Sequence, residues 1–599
     1  MPDWYTSWAA RTDRAVPARR QPRGGCSQAR REEALNLNGS LRSGPVARAV
    51  DAAVIAGLAA LAFVLTLKAG MRGFYAFDQS IVFDGSYRVL SGQIPYKDFV
   101  MPFGPMVFWL HALFFRLLGV TYFAYVFGSA TINVLATLAA IALSRILLRP
   151  GRVLSYAAGV LTAVWFYPPF GTPWVDQTAF FFSMLGIAVL AAAILAGPGR
   201  SLFRETLLAA SGLLAFVVFI SKQNAGAFML PVYPLLILTA YLPDYRTALR
   251  RLATFLIALG ASAAGFALWL AVASNSSTFI RYVIQLASDL GERRLGIFWR
   301  NWLGIRKPFF AGRGPLSVRV IILGSLLVAL VVLVTACWRL GRNRAVSRRL
   351  VLASLVCIYL TLFQHVFINT TLNQPENGFA FLGVILAIAA GLLLELPQPH
   401  SLDIRSLARG SKLRPVLVSA VGVAVAAAVL AGSASGVRVS MSRVVMDVLR
   451  YPAFIEPFEE AGLRGLRWGE PTRMGGLSIE GKDVADLLTY LRQRRENFFI
   501  FPDFTIMYGL AGVPSPQPLL WFHEGVTYPK GAYDAVLDRR IVDALRRNNV
   551  RIVAIEQVAW FNTGKRLDAF PEMRSYIYGN FVRIGQIGTF AVYGKPLPN

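Results

Sequence analysis

An all-α polytopic membrane domain followed by an α/β domain outside the membrane is the fold class the sequence predicts. Three observations predict it. Hydrophobic residues fill 55% of the 599 positions and charged residues only 16%, a balance that fits a polytopic membrane protein and not a soluble multidomain chain. Roughly eleven apolar runs are each long enough to cross a hydrocarbon layer of about 30 Å. Past about residue 435 the hydropathy falls, and short helix-like and strand-like segments replace the long runs.

The chain opens on a basic tail, residues 1–47, rich in Arg, Ser, Gly and Pro and lacking an apolar stripe; it is expected to be disordered and cytoplasmic. The first apolar stretch begins only near residue 47 and has no convincing small-residue cleavage site, so a cleavable signal peptide is not expected. The predicted spans lie near 48–70, 121–147, 153–170, 177–197, 206–221, 225–241, 252–274, 318–338, 350–368, 378–396 and 415–434. They form a transmembrane domain over 48–434, with interfacial helices besides. Residues 105–118 are apolar but too short to span and contain Arg116, which predicts an interfacial or re-entrant helix.

Charge orients these spans. The formal net charge is +28, and the arginines fall in the tail and in the short loops 145–152, 197–205, 244–251, 339–349 and 405–414. With those loops inside, the N terminus is cytoplasmic in a bacterial inner membrane. Treating 105–118 as a span would invert every later loop. No zinc-finger or RNP-like pattern accompanies the charge, so no nucleic-acid partner is expected. Cys26, Cys337 and Cys357 lie in the tail or in apolar segments, where no stapled extracytoplasmic domain can use them.

The outside face then receives 74–105, 167–176, 221–224, 275–318, 369–377 and everything after about 435. The loop 275–318 holds Arg281, Arg293, Arg294, Arg300, Arg306, Lys307 and Arg313 outside against the usual bias, which suggests an anionic ligand such as a lipid phosphate. In the extracytoplasmic α/β domain, 435–599, helices are expected near 483–495 and 533–548. Strands are expected at 497–501 and 550–556, with a closing pair over 581–593 around Gly585 and Gly588.

Candidate chemistry gathers on that outer face. The stretch 74–105 carries Asp78, Asp84, Arg88, Lys97 and Asp98; residues 78–90 read as an amphipathic helix whose Ile81, Val82, Phe83 and Val89 can rest on lipid. Asp78 there is either a general base for an acceptor hydroxyl or a solvated helix cap. Asp84 and Asp98 suit structural or solvated roles better. Asp176 opens a helix from the outside, as a dipole-favoured acid or as a second acid that orients an acceptor or holds a divalent cation. Lys222, beside Gln223 and Asn224, either snorkels or contacts a lipid-linked phosphate. Arg88, Lys97, Arg281, Arg293 and Arg294 are further candidates for the substrate, and Gln364 and His365 for sugar hydroxyls, although a lone histidine near a helix end is often satisfied locally. No His/Cys spacing for zinc is present, and both G-x-x-x-x-G-K-[ST] and G-x-G-x-x-G are missing. The substrate's activation is therefore expected to arrive attached to it.

Asp78, Tyr87 and SGQIPYKDF, then FGPMVFWLHALFFRLLG, WVDQTAFFF and SKQNAG, together resemble the GT-C superfamily of integral-membrane glycosyltransferases. The likeness is to the branch of the protein mannosyltransferases and lipid A aminoarabinose transferases, and it covers about residues 50–240. It implies a catalytic or acceptor-orienting acid at Asp78, a supporting acid at Asp176, and a sugar donor on polyprenyl phosphate used on the extracytoplasmic face. The acceptor would be an envelope glycan, lipid or protein, with membrane lipids as surroundings. One departure stands out: Pro102, Phe103, Gly104 and Pro105 occupy the place where aminoarabinose-transferase-like members have an acid and a lysine before a proline pair. The phosphate contact must then come from Lys97, Lys222 or the 281–300 loop, or the donor differs. A transporter or flippase for a lipid-linked glycan is the alternative; it calls for ionisable residues near the midplane and inverted repeats, of which the sequence offers few and none.

Overall fold

Long runs of Ala, Leu, Val, Ile and Phe must satisfy their backbone groups internally once they leave water, and each run accordingly becomes a helix. The computed structural model describes residues 44–73, 76–148, 152–197, 199–242, 244–286, 316–341, 347–370, 379–395, 413–442, 454–469, 480–557 and 562–596. In chain order come α1 (Pro45–Gly70), α2 (Ala76–Leu90), α3 (Met106–Leu118), α4 (Tyr122–Leu147), α5 (Arg152–Trp165), α6 (Val175–Leu195) and α7 (Ser201–Ser221). Then follow α8 (Gln223–Met229), α9 (Val232–Tyr241), α10 (Tyr245–Val272) and a short α11 (Ser276–Phe279) that runs into a π-helical turn, Ile280–Gln285. The helices α12 (Leu316–Gly341), α13 (Arg348–Thr370), α14 (Leu382–Leu394) and α15 (Leu413–Ser442) complete this part.

A helix occupies each of the eleven expected runs. Among the described residues, seven helical segments are long and apolar enough to cross a membrane: α1, α4, α6, α7, the α8–α9 pair, α10 and α15. These seven are among the eleven expected runs. The α5 and α14 helices have 14 and 13 residues, about 20 Å at 1.5 Å per residue, and their neighbours bury them instead. The α8–α9 break falls at Pro231, whose missing N–H interrupts the helical ladder. The short helix expected at 105–118 is present as α3, with Leu113, Leu117 and Leu118 exposed on its outer face.

Helix α6 is buried on most of its circumference and forms the middle of the bundle. Close crossings use small residues, as lipid-embedded helices require: a Cβ on Gly212 of α7 would lie 2.5 Å from the Phe255 carbonyl of α10. Asn133 of α4 donates to the Ala62 carbonyl (3.2 Å), the Thr66 hydroxyl (2.8 Å) and the Ala163 carbonyl (2.9 Å), which ties α1, α4 and α5 together.

Basic helix ends meet at one pole of the bundle. Arg349 pairs with Glu395 and donates to the Leu147 carbonyl (3.0 Å). Arg251 pairs with Glu205, and Arg204 donates to the carbonyls of Ala196 (2.7 Å) and Gly197 (3.0 Å). These contacts join four of the five loops that the charge pattern places on a single side, and they do so at the end of α4 and α6 remote from Asp176.

At the other pole sits the C-terminal domain. Strands β1 (Phe454–Pro457) and β2 (Arg467–Gly469) pair with each other, and α16 (Gly481–Arg494) leads to β3 (Phe498–Phe501). Next come α17 (Ile506–Ala511), α18 (Ala535–Arg547), β4 (Ile552–Glu556), α19 (Thr563–Asp568), α20 (Pro571–Asn580), β5 (Val582–Ile587) and β6 (Phe590–Gly594). The larger sheet has order β3-β4-β6-β5, with β3 and β4 parallel and the other pairs antiparallel. The helices and strands expected from 483 onward are all present. Alternation along β3 sends Phe498 and Ile500 to one apolar cluster and Phe499 and Phe501 to another, so both faces are covered and the strand reads as a continuous apolar run.

The first of those clusters continues into the membrane part, where it includes Ile81, Val82, Phe83, Val107 and Phe108. Helix α2 therefore does not lie on lipid. Ile81, Val82 and Phe83 are buried, because α17 packs on α2 with Gly509 set against Phe83 and Tyr87. Backbone hydrogen bonds fasten the joint: Gly73 N to the Arg467 carbonyl (2.8 Å), Arg467 N to Met71 (3.0 Å), Tyr122 N to Gly462 (2.7 Å) and Val100 N to Pro518 (2.8 Å).

Candidate functional site

Three breaks in helical structure place the polar groups at the pole beneath the C-terminal domain. Asp78 lies in the first turn of α2 and Asp176 in the first turn of α6. Lys222 is a single extended residue between α7 and α8, with φ −151° and ψ 113°.

Hydrogen bonds to the loops hold these starts together. Gln79 Nε2 donates to the Phe170 carbonyl (3.3 Å), and the Tyr125 hydroxyl donates to the Gln79 carbonyl (2.8 Å) while lying 3.3 Å from that of Pro173. The residue beside Asp78 is thereby bound to the loop that leads into Asp176. Gln223 Nε2 donates to the Pro102 carbonyl (2.7 Å), fixing the start of α8 against the Pro-Phe-Gly-Pro turn. Lys222 Nζ forms an ion pair with Asp176 Oδ1, and the two side chains are 15% and 2% exposed.

The charges act on Asp78 together. Burial raises its carboxyl to about 7, the anions of Asp503 and Asp176 push in the same direction, and Lys222 opposes them. Asp78 and Asp176 thus share one polar region, with a cation among them. A carboxylate with this affinity is half-protonated near neutrality, which suits proton exchange with a hydroxyl. Among the described residues no group of three His, Cys, Asp or Glu side chains could hold a metal ion, and the ammonium of Lys222 stands against Asp176.

Asp503 belongs to the C-terminal domain and was not among the residues expected from sequence. It lies just past the carboxyl end of β3, and Arg566 grips both of its oxygens, at 2.6 and 3.1 Å. Glu556, which ends the parallel neighbour β4, is also buried; burial raises its carboxyl, and Asp503 adds to the effect. The signal available in the sequence was the position of both acids at or just past the carboxyl ends of short apolar strands, since crevices at the carboxyl ends of parallel strands are common ligand sites.

The other expected substrate residues are placed elsewhere. Arg88 is 1% exposed, and its guanidinium meets Asp84 (2.9 Å), the Gln517 carbonyl (2.6 Å) and the Ser515 hydroxyl. It holds the 515–519 segment to α2 and leaves no face for a ligand. Lys97 is exposed, and its carbonyl accepts from Arg540 (2.8 Å). Arg281 pairs with Asp534 at 2.5 Å, another contact between the membrane part and the C-terminal domain. Asp84 is the buried partner of Arg88, and Asp98 accepts from Ile94 N at 2.6 Å. Gln364 is buried in α13 with both side-chain polar atoms lacking a hydrogen-bond partner. Arg293 and Arg294 lie outside the described residues, as does the side chain of His365.

A close approach beside Lys222 yields a test of this geometry. Any Cβ on Gly104 would collide with the Ile220 carbonyl, and backbone cannot yield as a flexible side chain would. Gly104→Ala is expected to part the 102–105 turn from the α7–α8 junction and lower the midpoint of thermal unfolding by several degrees, with about 1–3 kcal/mol lost. An unchanged midpoint would show that this approach is looser than described.

Neither a family model nor a curated protein sequence matches the chain. Among solved structures it is similar to ArnT from Cupriavidus metallidurans bound to undecaprenyl phosphate, at 13% identity and TM-score 0.49, over 92% of this chain and 98% of that one. The apo state of the same protein is similar at 14% identity and TM-score 0.46, over the same shares. At that distance the likeness assigns neither an activity nor a ligand to this chain, which is a polytopic membrane protein with a large C-terminal extramembrane domain.

Proposed function

We propose that the chain is a glycosyltransferase of the bacterial inner membrane that moves a sugar from a polyprenyl-phosphate donor to an extracytoplasmic envelope acceptor. The observation that carries this reading is the convergence of Asp78, Asp176 and Lys222 from three separate helix starts at one membrane pole. The N terminus and the basic pole face the cytoplasm, and the C-terminal domain lies outside. The donor class is the one the motif resemblance implies, and the missing nucleotide-binding motifs agree with it.

In this mechanism the acceptor hydroxyl attacks the sugar's anomeric carbon while Asp78 accepts its proton. The bond from that carbon to the phosphate oxygen breaks, and the electron pair leaves with the polyprenyl phosphate. Lys222 meets the charge that develops on the departing oxygen. Asp176 orients Lys222 through their ion pair.

The test is transfer itself. Protein in lipid nanodiscs, given radiolabelled polyprenyl-phosphate sugar and a membrane glycan extract, should pass label to an envelope fraction; recovery of all label in the donor would end this reading. The pH dependence follows from the same carboxyl. The base works only when deprotonated, so kcat/KM should rise with pH along a limb centred at about 7. A profile flat from about pH 5 to 9 would exclude Asp78 as the base.

A further inference from the structure

We propose that Asp503 is a positioning residue for Asp78: the C-terminal domain delivers a third carboxylate to the membrane site, and the site is incomplete without that domain. This deepens the function proposed above and rests on it for its catalytic meaning. Three features of the geometry carry it. Phe504, next in the chain, belongs to the buried cluster that also holds Ala76 and Val175, the near neighbours of Asp78 and Asp176. The domain is fastened along the segment that follows, by Arg88 to Ser515 and Gln517, by Val100 N to Pro518, and by the stacking of Phe103 on Trp521 at 6.0 Å. Finally, Asp503 is fixed by the two-pronged grip of Arg566, and both side chains are almost wholly buried.

The groups facing Asp78 are then Asp503 from the C-terminal domain, Asp176 from α6, Lys222 from the α7–α8 junction, and the Tyr125 hydroxyl from α4. Around Asp503 stand Arg566, Glu556 and Tyr528. Like charges in a buried group titrate together, so the proton affinity of Asp78 depends on the charge the domain brings. Arg566 maintains that charge against burial, which pushes the Asp503 carboxyl up. Burial is the larger cause that raises Asp78, and the Asp503 anion brought by the docked domain adds to it. A domain that swung away would leave Asp78 a weaker base.

Infrared difference spectra titrated over pH, on the full chain in nanodiscs and with no substrate present, read this directly. Subtracting the spectrum of Asp78→Asn isolates one carboxyl band. In the paired variant Asp503→Asn/Arg566→Gln, which removes both charges and leaves no buried cation unmatched, the midpoint of that band should fall by about one pH unit. Asp503→Glu should hold it at the wild-type value. Where the paired variant does not yield a monodisperse particle, the single Asp503→Asn chain supplies the same comparison. An unmoved midpoint in a folded variant overturns the proposal, because a merely structural Asp503 would not alter the ionisation of Asp78. Since no transfer is measured, loss of the enzymatic reading and loss of this one are distinguishable: the band can shift in a protein that transfers nothing, and transfer can persist with a band that does not move.

Discussion

Asp78→Asn is expected to lower the rate of sugar transfer by about 100- to 10,000-fold, the span covered by general base catalysis, while the chain keeps its fold. Asparagine matches aspartate in shape but cannot accept the proton of an attacking hydroxyl. It also separates catalysis from capping, since asparagine serves a helix N-terminus about as well as aspartate. A residue that merely capped α2 would leave both stability and rate where they were. The carboxyl of Asp78 already opposes two other anions and burial, so removing its charge should leave the thermal midpoint unchanged or raise it. Initial rates from labelled donor, beside a melting curve for each variant, decide the matter. Full activity in Asp78→Asn would remove the mechanism.

Arg88→Gln is expected to have the largest effect on stability. Arg88 and Asp84 are both buried, and their ion pair sits under the 515–519 segment. Taking away one partner of such a pair leaves an uncompensated charge and costs about 3–5 kcal/mol. Asp84 Oδ1 has no other hydrogen-bond partner to offset the loss.

The pH dependence gives the loss a signature. Burial already raises the Asp84 carboxyl to about 6 against the pull of Arg88, above the value of about 3.9 in an unfolded chain. The folded state therefore holds more protons between those two values, and this group's contribution falls as pH rises across that window. Without the arginine the carboxyl rises further, so the loss extends to higher pH, and acidification to about pH 4 should recover part of the stability. Limited proteolysis should cut the variant near the C-terminal domain at neutral pH and less at low pH. Equal protection of variant and wild type at neutral pH would mean that the domain is held by other contacts alone.

The Arg88 result marks a boundary between local and tertiary information. From composition, Arg88 on a helix near a membrane surface looked available to a phosphate; only the docked segment 515–519, more than 400 residues away in the chain, uses up its donors. Helix α2 changed its surroundings for the same reason. Its apolar face was evident in the sequence, but the partner that covers it, α17, comes from the C-terminal domain. The helix break at Lys222, where Gln and Asn follow between two apolar runs, is a pattern visible locally. Asp503 escaped notice because a single acid after four apolar residues has no local mark of partnership with Arg566, 63 residues later.

By itself the sequence determined the class of the molecule, the helical runs, the short α3, the sorting of basic loops to one pole, and the two acids at helix starts opposite them. Hydropathy and charge sort residues between lipid and water one segment at a time, so these features require no knowledge of distant neighbours. Tertiary structure decided which arginines are consumed in docking and that Asp503 of the C-terminal domain adds to the anions acting on Asp78. Burial and proton affinity depend on groups brought together from remote parts of the chain, and only the packed fold sets those distances.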